Sequence, residues 1–125
     1  MNSFTALLLL ILVQSPELIS RTEYSARIEN FFQFQPLYAG KPSQFRIEPK
    51  DVSDFTPIEA AQITLTVRRV GSRQAVTVAT SKPDKTKGVY LAQVTVATPG
   101  KYSIEFRIRN AKFDERMLVD LFDVD

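Results

Sequence analysis

From Ala61 to Arg68 the chain alternates strictly: Ala61, Ile63, Leu65 and Val67 are apolar, and Gln62, Thr64, Thr66 and Arg68 are polar. Successive side chains of a strand point to opposite faces, so this period predicts a strand with one buried face. Tyr102–Arg109 repeats the pattern, with Tyr102, Ile104, Phe106 and Ile108 on the apolar face. Tyr90, Ala92, Val94 and Val96 predict a third such face, Val76 and Val78 a short fourth, and Phe45 and Ile47 a fifth. Ile28, Phe32 and Phe34 predict an opening strand. A last strand is expected from about Phe113 to Val124. There Met117, Val119 and Leu121 share one parity and Phe122 and Val124 the other, so they share a face only if a bulge near Leu121 shifts the phase. No helical period follows residue 20.

Turn chemistry separates these runs. Pro99-Gly100 predicts a type II turn, because proline presets φ and glycine accepts the positive φ that follows. Ala39-Gly40-Lys41-Pro42 and Gly71-Ser72 mark further reversals, and Ser81-Lys82-Pro83-Asp84 starts a loop. Asp51 to Ile58 is the least regular stretch, a loop or a short helical turn. About seven strands with a turn signal roughly every ten residues predict an all-β, immunoglobulin-like sandwich of antiparallel strands.

Ahead of the strands, Ala6 to Val13 is an uninterrupted apolar run of eight residues, ended by Gln14, Ser15 and Pro16. A membrane-spanning helix needs about 20 such residues, whereas eight suits the hydrophobic region of a signal peptide. The expectation is a signal peptide over residues 1–20, with small Ser20 at its end, and one sandwich domain over 21–125. This implies export, to the periplasm or an equivalent compartment, without a stable membrane span.

Composition narrows the chemistry. The 125 residues include no cysteine and no histidine. Disulfides, thiolate metal sites, Ser-His and Cys-His nucleophilic pairs and histidine-ligated zinc are therefore excluded. Carboxylate chemistry remains, but a small sandwich with no aromatic-lined acid pair is a poor host for it. The expectation is a protein that is not an enzyme and carries no cofactor. Net charge is +2, which is unevenly spread. Arg68, Arg69, Arg73, Lys82, Lys85 and Lys87 lie within twenty residues against one acid, Asp84, while Asp114, Glu115, Asp120, Asp123 and Asp125 crowd the C-terminus against Arg116. A basic stretch of this kind is suited to a nucleic acid or an anionic membrane, or simply to solvated hairpin ends, and the last is expected here, with no nucleic-acid partner.

Two blocks resemble a known family. Residues 31–67, FFQFQPLYAGKPSQFRIEPKDVSDFTPIEAAQITLTV, and 86–108, TKGVYLAQVTVATPGKYSIEFRI, resemble the immunoglobulin-like N-terminal domain of periplasmic adaptor subunits of RND-type heavy-metal efflux pumps, and the related YtkA-like domains. The shared features are an aromatic strand, the P-L-x-A-G turn, D-F-x-P-I before an alternating strand, G-V-Y-x-A-x-V, and a P-G-x-Y corner. Where such adaptor domains often carry a histidine in the second strand, this chain has Glu48. The helical hairpin, lipoyl-like and β-barrel segments of an adaptor body have no counterpart in the 125 residues. The resemblance thus implies an envelope location and a sandwich fold, and less directly an envelope efflux component as protein partner.

Candidate contact residues follow from the aromatic strand. If Phe32 and Phe34 face the core, Phe31 faces out, and with Tyr38 it forms a candidate partner contact. The first and last strands offer edges for strand addition. Glu48, Asp51 and Asp54, with Glu59 nearby, are the candidate hard-cation ligands, although their spacing matches no EF-hand loop; solvation, or Asp54 capping the turn before Phe55, is the simpler role. Met117 alone supplies too few soft donors for copper or silver and is expected in the core. The leading expectation is a non-enzymatic periplasmic accessory module acting by protein–protein contact. The alternative is an envelope module binding carbohydrate or a hard cation.

Overall fold

The computed structural model describes residues 17–125. The apolar run of the expected signal peptide lies outside the described residues. Among the described residues nine strands form in chain order: β1 (Ile19–Tyr24), β2 (Ile28–Phe34), β3 (Ser43–Asp51), β4 (Gln62–Arg69), β5 (Ala75–Thr80), β6 (Lys82–Pro83), β7 (Tyr90–Val94), β8 (Gly100–Arg109) and β9 (Asp114–Val124). They make two antiparallel sheets, one ordered β1-β2-β3-β7-β6 and the other β5-β4-β8-β9. The chain crosses between sheets after β3, β5 and β7. This is an all-β, immunoglobulin-like sandwich: a four-strand core order in each sheet, with β1 added beside β2.

The two inner faces are glued by aromatic rings. Phe32, Phe34 and Phe45 from one sheet meet Phe106 and Phe122 from the other, with ring centroids 4.7 Å apart for Phe32–Phe106 and 5.3 Å for Phe34–Phe122. Ile47, Ile63, Leu65, Ile104 and Ile108 are fully buried around them. Each such side chain contributes about 1.5–3 kcal/mol by leaving water.

Two small strands were not expected. β1 reads Ile-Ser-Arg-Thr-Glu-Tyr and lacks an apolar face, yet Arg21 lies on its inner side with the guanidinium 4.9 Å from the Phe122 ring. Its long side chain covers apolar surface while the charge reaches solvent. Ile19 and Ser20, assigned from the sequence to the end of the signal peptide, pair with Phe34 and Gln33 in this strand. β2 is consequently an interior strand and not the sheet edge. β6 is two residues long and continues the chain from β5 into the opposite sheet.

The expected bulge is present. Tyr102 pairs with Phe122 and Ile104 with Val119, so Ser103 faces both Asp120 and Leu121. Leu121 takes the extra position at φ 68° and is 67% exposed, while Met117, Val119, Phe122 and Val124 are all buried.

Three local expectations need correction. Val76 and Val78 do not face the core; they are 48% and 56% exposed, and Ala79 is buried in their place. Register decides this, because Ala79 pairs with inward Leu65, Thr77 pairs with inward Val67, and Val76 is the extra residue of a second bulge. Alternation groups residues by face without saying which face is inside. Ala61 is only partly buried and precedes β4, its N–H donating to the Tyr90 hydroxyl at 3.0 Å. Gly100 has φ 146° and already opens β8, so it is not the third residue of a type II turn, which needs φ near 80°.

Candidate interaction surface

The outer faces and the strand edges carry what the core does not use. On the outer side of the five-stranded sheet, Phe31 stands between Thr22 and Glu48 on the neighbouring strands. It is partly buried and points away from Phe32 and Phe34, as the alternation requires. Tyr38 is 50% exposed and lies beyond the end of β2, where Leu37 bridges in parallel to Val124 of the other sheet. Lys41 stands over its ring at 5.9 Å. Phe31 sits midway along its sheet and Tyr38 at the end of the sandwich, and their rings make no aromatic pair, so they are two separate features.

The carboxylates are dispersed by the same register. Glu48 shares the outer face with Phe31 and holds Arg46 at 2.7 Å. Asp51 lies three residues on and is therefore turned to the inner face, where it is buried. Its Oδ1 accepts the backbone N–H of Ser53 at 2.9 Å and the Ser53 hydroxyl at 2.7 Å. Those two hydrogen bonds hold the Asp51 carboxyl below its usual range, against the opposing effect of burial and with help from Lys112 and Arg27. Asp54 accepts from the backbone and hydroxyl of Thr56 and closes the turn. Among the described residues no group of three or more acidic side chains is close enough together to hold a metal ion.

The stretch from Asp51 to Ala61 is nonetheless firmly built. Phe55 N–H donates to Asp51 C=O, Ile58 N–H to Pro49 C=O, and the Tyr90 hydroxyl to Ile58 C=O at 2.7 Å. Phe55 takes φ 59° and is 63% exposed. At the opposite end of the sandwich, Tyr102 donates its hydroxyl to Thr98 C=O at 2.7 Å, closing the corner that leads into β8. Arg69 covers the Tyr102 ring at 5.1 Å and donates to Thr98 Oγ1 at 2.7 Å.

The basic stretch is divided by β5. Arg68, Arg69 and Arg73 border the β4–β5 reversal, while Lys82 lies in β6 and Lys85 and Lys87 in the loop that follows. The aspartates of β9, Asp114, Asp120 and Asp123, are all exposed, while Glu115 is half-buried and accepts from the Ser25 hydroxyl at 2.9 Å. Asp114 accepts a two-bond contact from Arg107 at 3.0 and 2.9 Å, which lowers its carboxyl pKa.

The edges differ in how they are covered. β1 carries Arg21 and Glu23, 3.4 Å apart. β6 has only Lys82 and Pro83. β9 is charged, bulged, bridged by Leu37 at Val124, and contacted by Arg21, whose Nη2 lies 3.5 Å from Asp120 O. β5 reads Ala-Val-Thr-Val-Ala-Thr, without a charge. The edges expected from the sequence are the first and last predicted strands; the signal for β5 is its uncharged six-residue run between basic residues. No family model, curated protein or solved structure matches the chain.

Proposed function

We propose that this chain is a non-enzymatic interaction module of the cell envelope that acts through protein–protein contacts. The observation that carries it is the uncharged edge strand β5, with Val76 and Val78 in solvent. Backbone groups on an open edge offer a row of donors and acceptors, and exposed side chains beside them give selectivity. The envelope location is supported by the short apolar run of residues 6–13. A link to metal efflux rests on the resemblance to adaptor N-terminal domains. Among the described residues no helix is long and apolar enough to cross a membrane.

In-cell cross-linking of the tagged protein in its native envelope, followed by mass spectrometry, tests this. Recovery of a pump, adaptor or channel subunit, lost when purified untagged protein competes, supports the efflux assignment. Recovery of a different envelope protein keeps the module and removes efflux. A protein that is recovered only uncross-linked overturns the module.

A further inference from the structure

We infer that β5 is a receptor edge for an extended peptide segment flanked by acidic residues, which adds to the β5-β4-β8-β9 sheet as its fifth strand. This rests on the proposed interaction-module function and names the surface and the partner chemistry.

The six residues from Ala75 to Thr80 include four β-branched ones and carry no charge, no proline and no glycine. An edge of that composition is an aggregation hazard in a free protein, and natural sheets block such edges with charge, proline or cover. The other three outer strands have these devices. β5 has only the bulge at Val76, which leaves Thr77 to Thr80 regular.

The direction of its hydrogen bonds follows from the register. Ser81 N–H donates to Ile63 C=O, so residues of the same parity, Ala79 and Thr77, also point their backbone groups at β4. Val78 and Thr80 then present N–H and C=O to the open side. Their side chains lie on the outer face, where Val78 is 56% exposed beside Thr66.

The open side is a groove and not a flat rim. Between β5 and β7 runs a cleft of about 450 Å³ lined by Ala79 and Thr80, by Lys82 and Pro83 of β6, and by Leu91 and Gln93 on the β7 side. β6 closes only the Tyr90–Leu91 end of the facing β7 edge.

Charge selects the occupant. Arg73 precedes the strand and Lys82 follows it, and neither makes an ion pair among the described residues. A second copy pairing antiparallel through β5 would set Arg73 of one chain near Lys82 of the other at both ends, an arrangement that like charges oppose. The acid-rich β9 of a second copy is already engaged by Leu37 and Arg21 of its own chain. A foreign segment of about six extended residues spans roughly 20 Å, the length of β5, and acids at its two ends then reach both cations.

The test uses purified ¹⁵N-labelled protein and a synthetic ten-residue peptide, Asp-Glu-Thr-Val-Thr-Val-Thr-Val-Glu-Asp. Saturable amide shifts concentrated on Thr77–Thr80 are expected, with affinity falling as salt rises. Val78→Pro removes one edge donor without touching the β4 ladder and is expected to weaken binding at least about tenfold. Val78→Asp, which keeps the backbone free to pair with β4, is expected to do the same through repulsion and serves if the proline variant unfolds. Arg73→Gln with Lys82→Gln is expected to abolish the salt dependence. Shifts centred on β1 or β9, equal binding of a Lys-flanked peptide, or no binding at millimolar peptide would overturn the inference. So would a dimer of the free protein that Val78→Pro dissolves, which would make the occupant a second copy. If the envelope cross-link survives Val78→Asp, the β5 assignment falls while the module stands; if no cross-link forms at all, the module itself falls.

Discussion

Ser103 of β8 faces two residues of β9, Asp120 and Leu121, where every neighbouring position faces one. The extra residue reverses the parity of the strand, and this is why Met117 and Val119 can share the core with Phe122 and Val124. Removing Leu121 leaves a sequence that alternates without interruption and pairs Asp120 with Ser103. We expect the chain lacking Leu121 to fold with a melting temperature within a few degrees of the parent, whereas removal of Leu118 turns Val119 outward, brings Asp120 into the core opposite Ile104 and unfolds the domain. Thermal melts followed by circular dichroism check both.

The Tyr102 hydroxyl makes its bond to Thr98 C=O inside a corner that Arg69 covers. Tyr102→Phe keeps the buried ring and removes the donor. The expected loss is about 1–2 kcal/mol in urea unfolding, set by a lost hydrogen bond and a carbonyl left short of a partner. An unchanged midpoint would mean that solvent replaces the hydroxyl.

Asn30 lies on the inner face of β2 with no solvent exposure, and neither its Oδ1 nor its Nδ2 has a partner among the described residues. Replacement by leucine, close to it in size, removes two unsatisfied groups. Asn30→Leu is expected to raise stability by about 1–2 kcal/mol. A drop instead would place an ordered water on the amide.

Acid lability should trace in part to Asp51. Its carboxyl titrates lower in the folded chain than when unfolded, because Ser53 donates to the ionised form. A depressed folded pKa contributes stability that is present above the unfolded value, near 3.9, and is lost as pH falls below it toward the folded value. Asp51→Asn therefore should flatten the stability profile below about pH 4 and leave its shape near pH 7 unchanged. Unfolding midpoints measured from pH 2.5 to 7 decide this, and an unaltered acid limb would remove Asp51 from the account. Asp114, paired with Arg107, titrates in the same direction.

The strands that could be found from the pattern are those with one wet face and one buried face. β4 alternates over its whole length and β8 does so except at buried Ser103, and their inner apolar residues are the ones predicted. The phase break in β9 also identified its own bulge. β1 was invisible because its inner face is Ile19, Arg21 and Glu23, and only Phe122 behind it makes that face usable. The candidate site residues fared unevenly. Phe31 faces outward as parity required, whereas its separation from Tyr38 depends on the chain leaving one sheet at Pro36 to bridge the other at Leu37.

By itself the sequence determined the all-β class, the two-faced strands, the bulge, and the absence of thiol and imidazole chemistry, because each of these depends on residues close together in the chain or on composition alone. Tertiary structure decided which face of β5 is inside, which strands end the sheets, and that Glu48 and Asp51 turn away from each other while β5 divides the basic residues. Those outcomes depend on register between strands distant in sequence, and a one-residue shift in register exchanges every inward side chain for its outward neighbour.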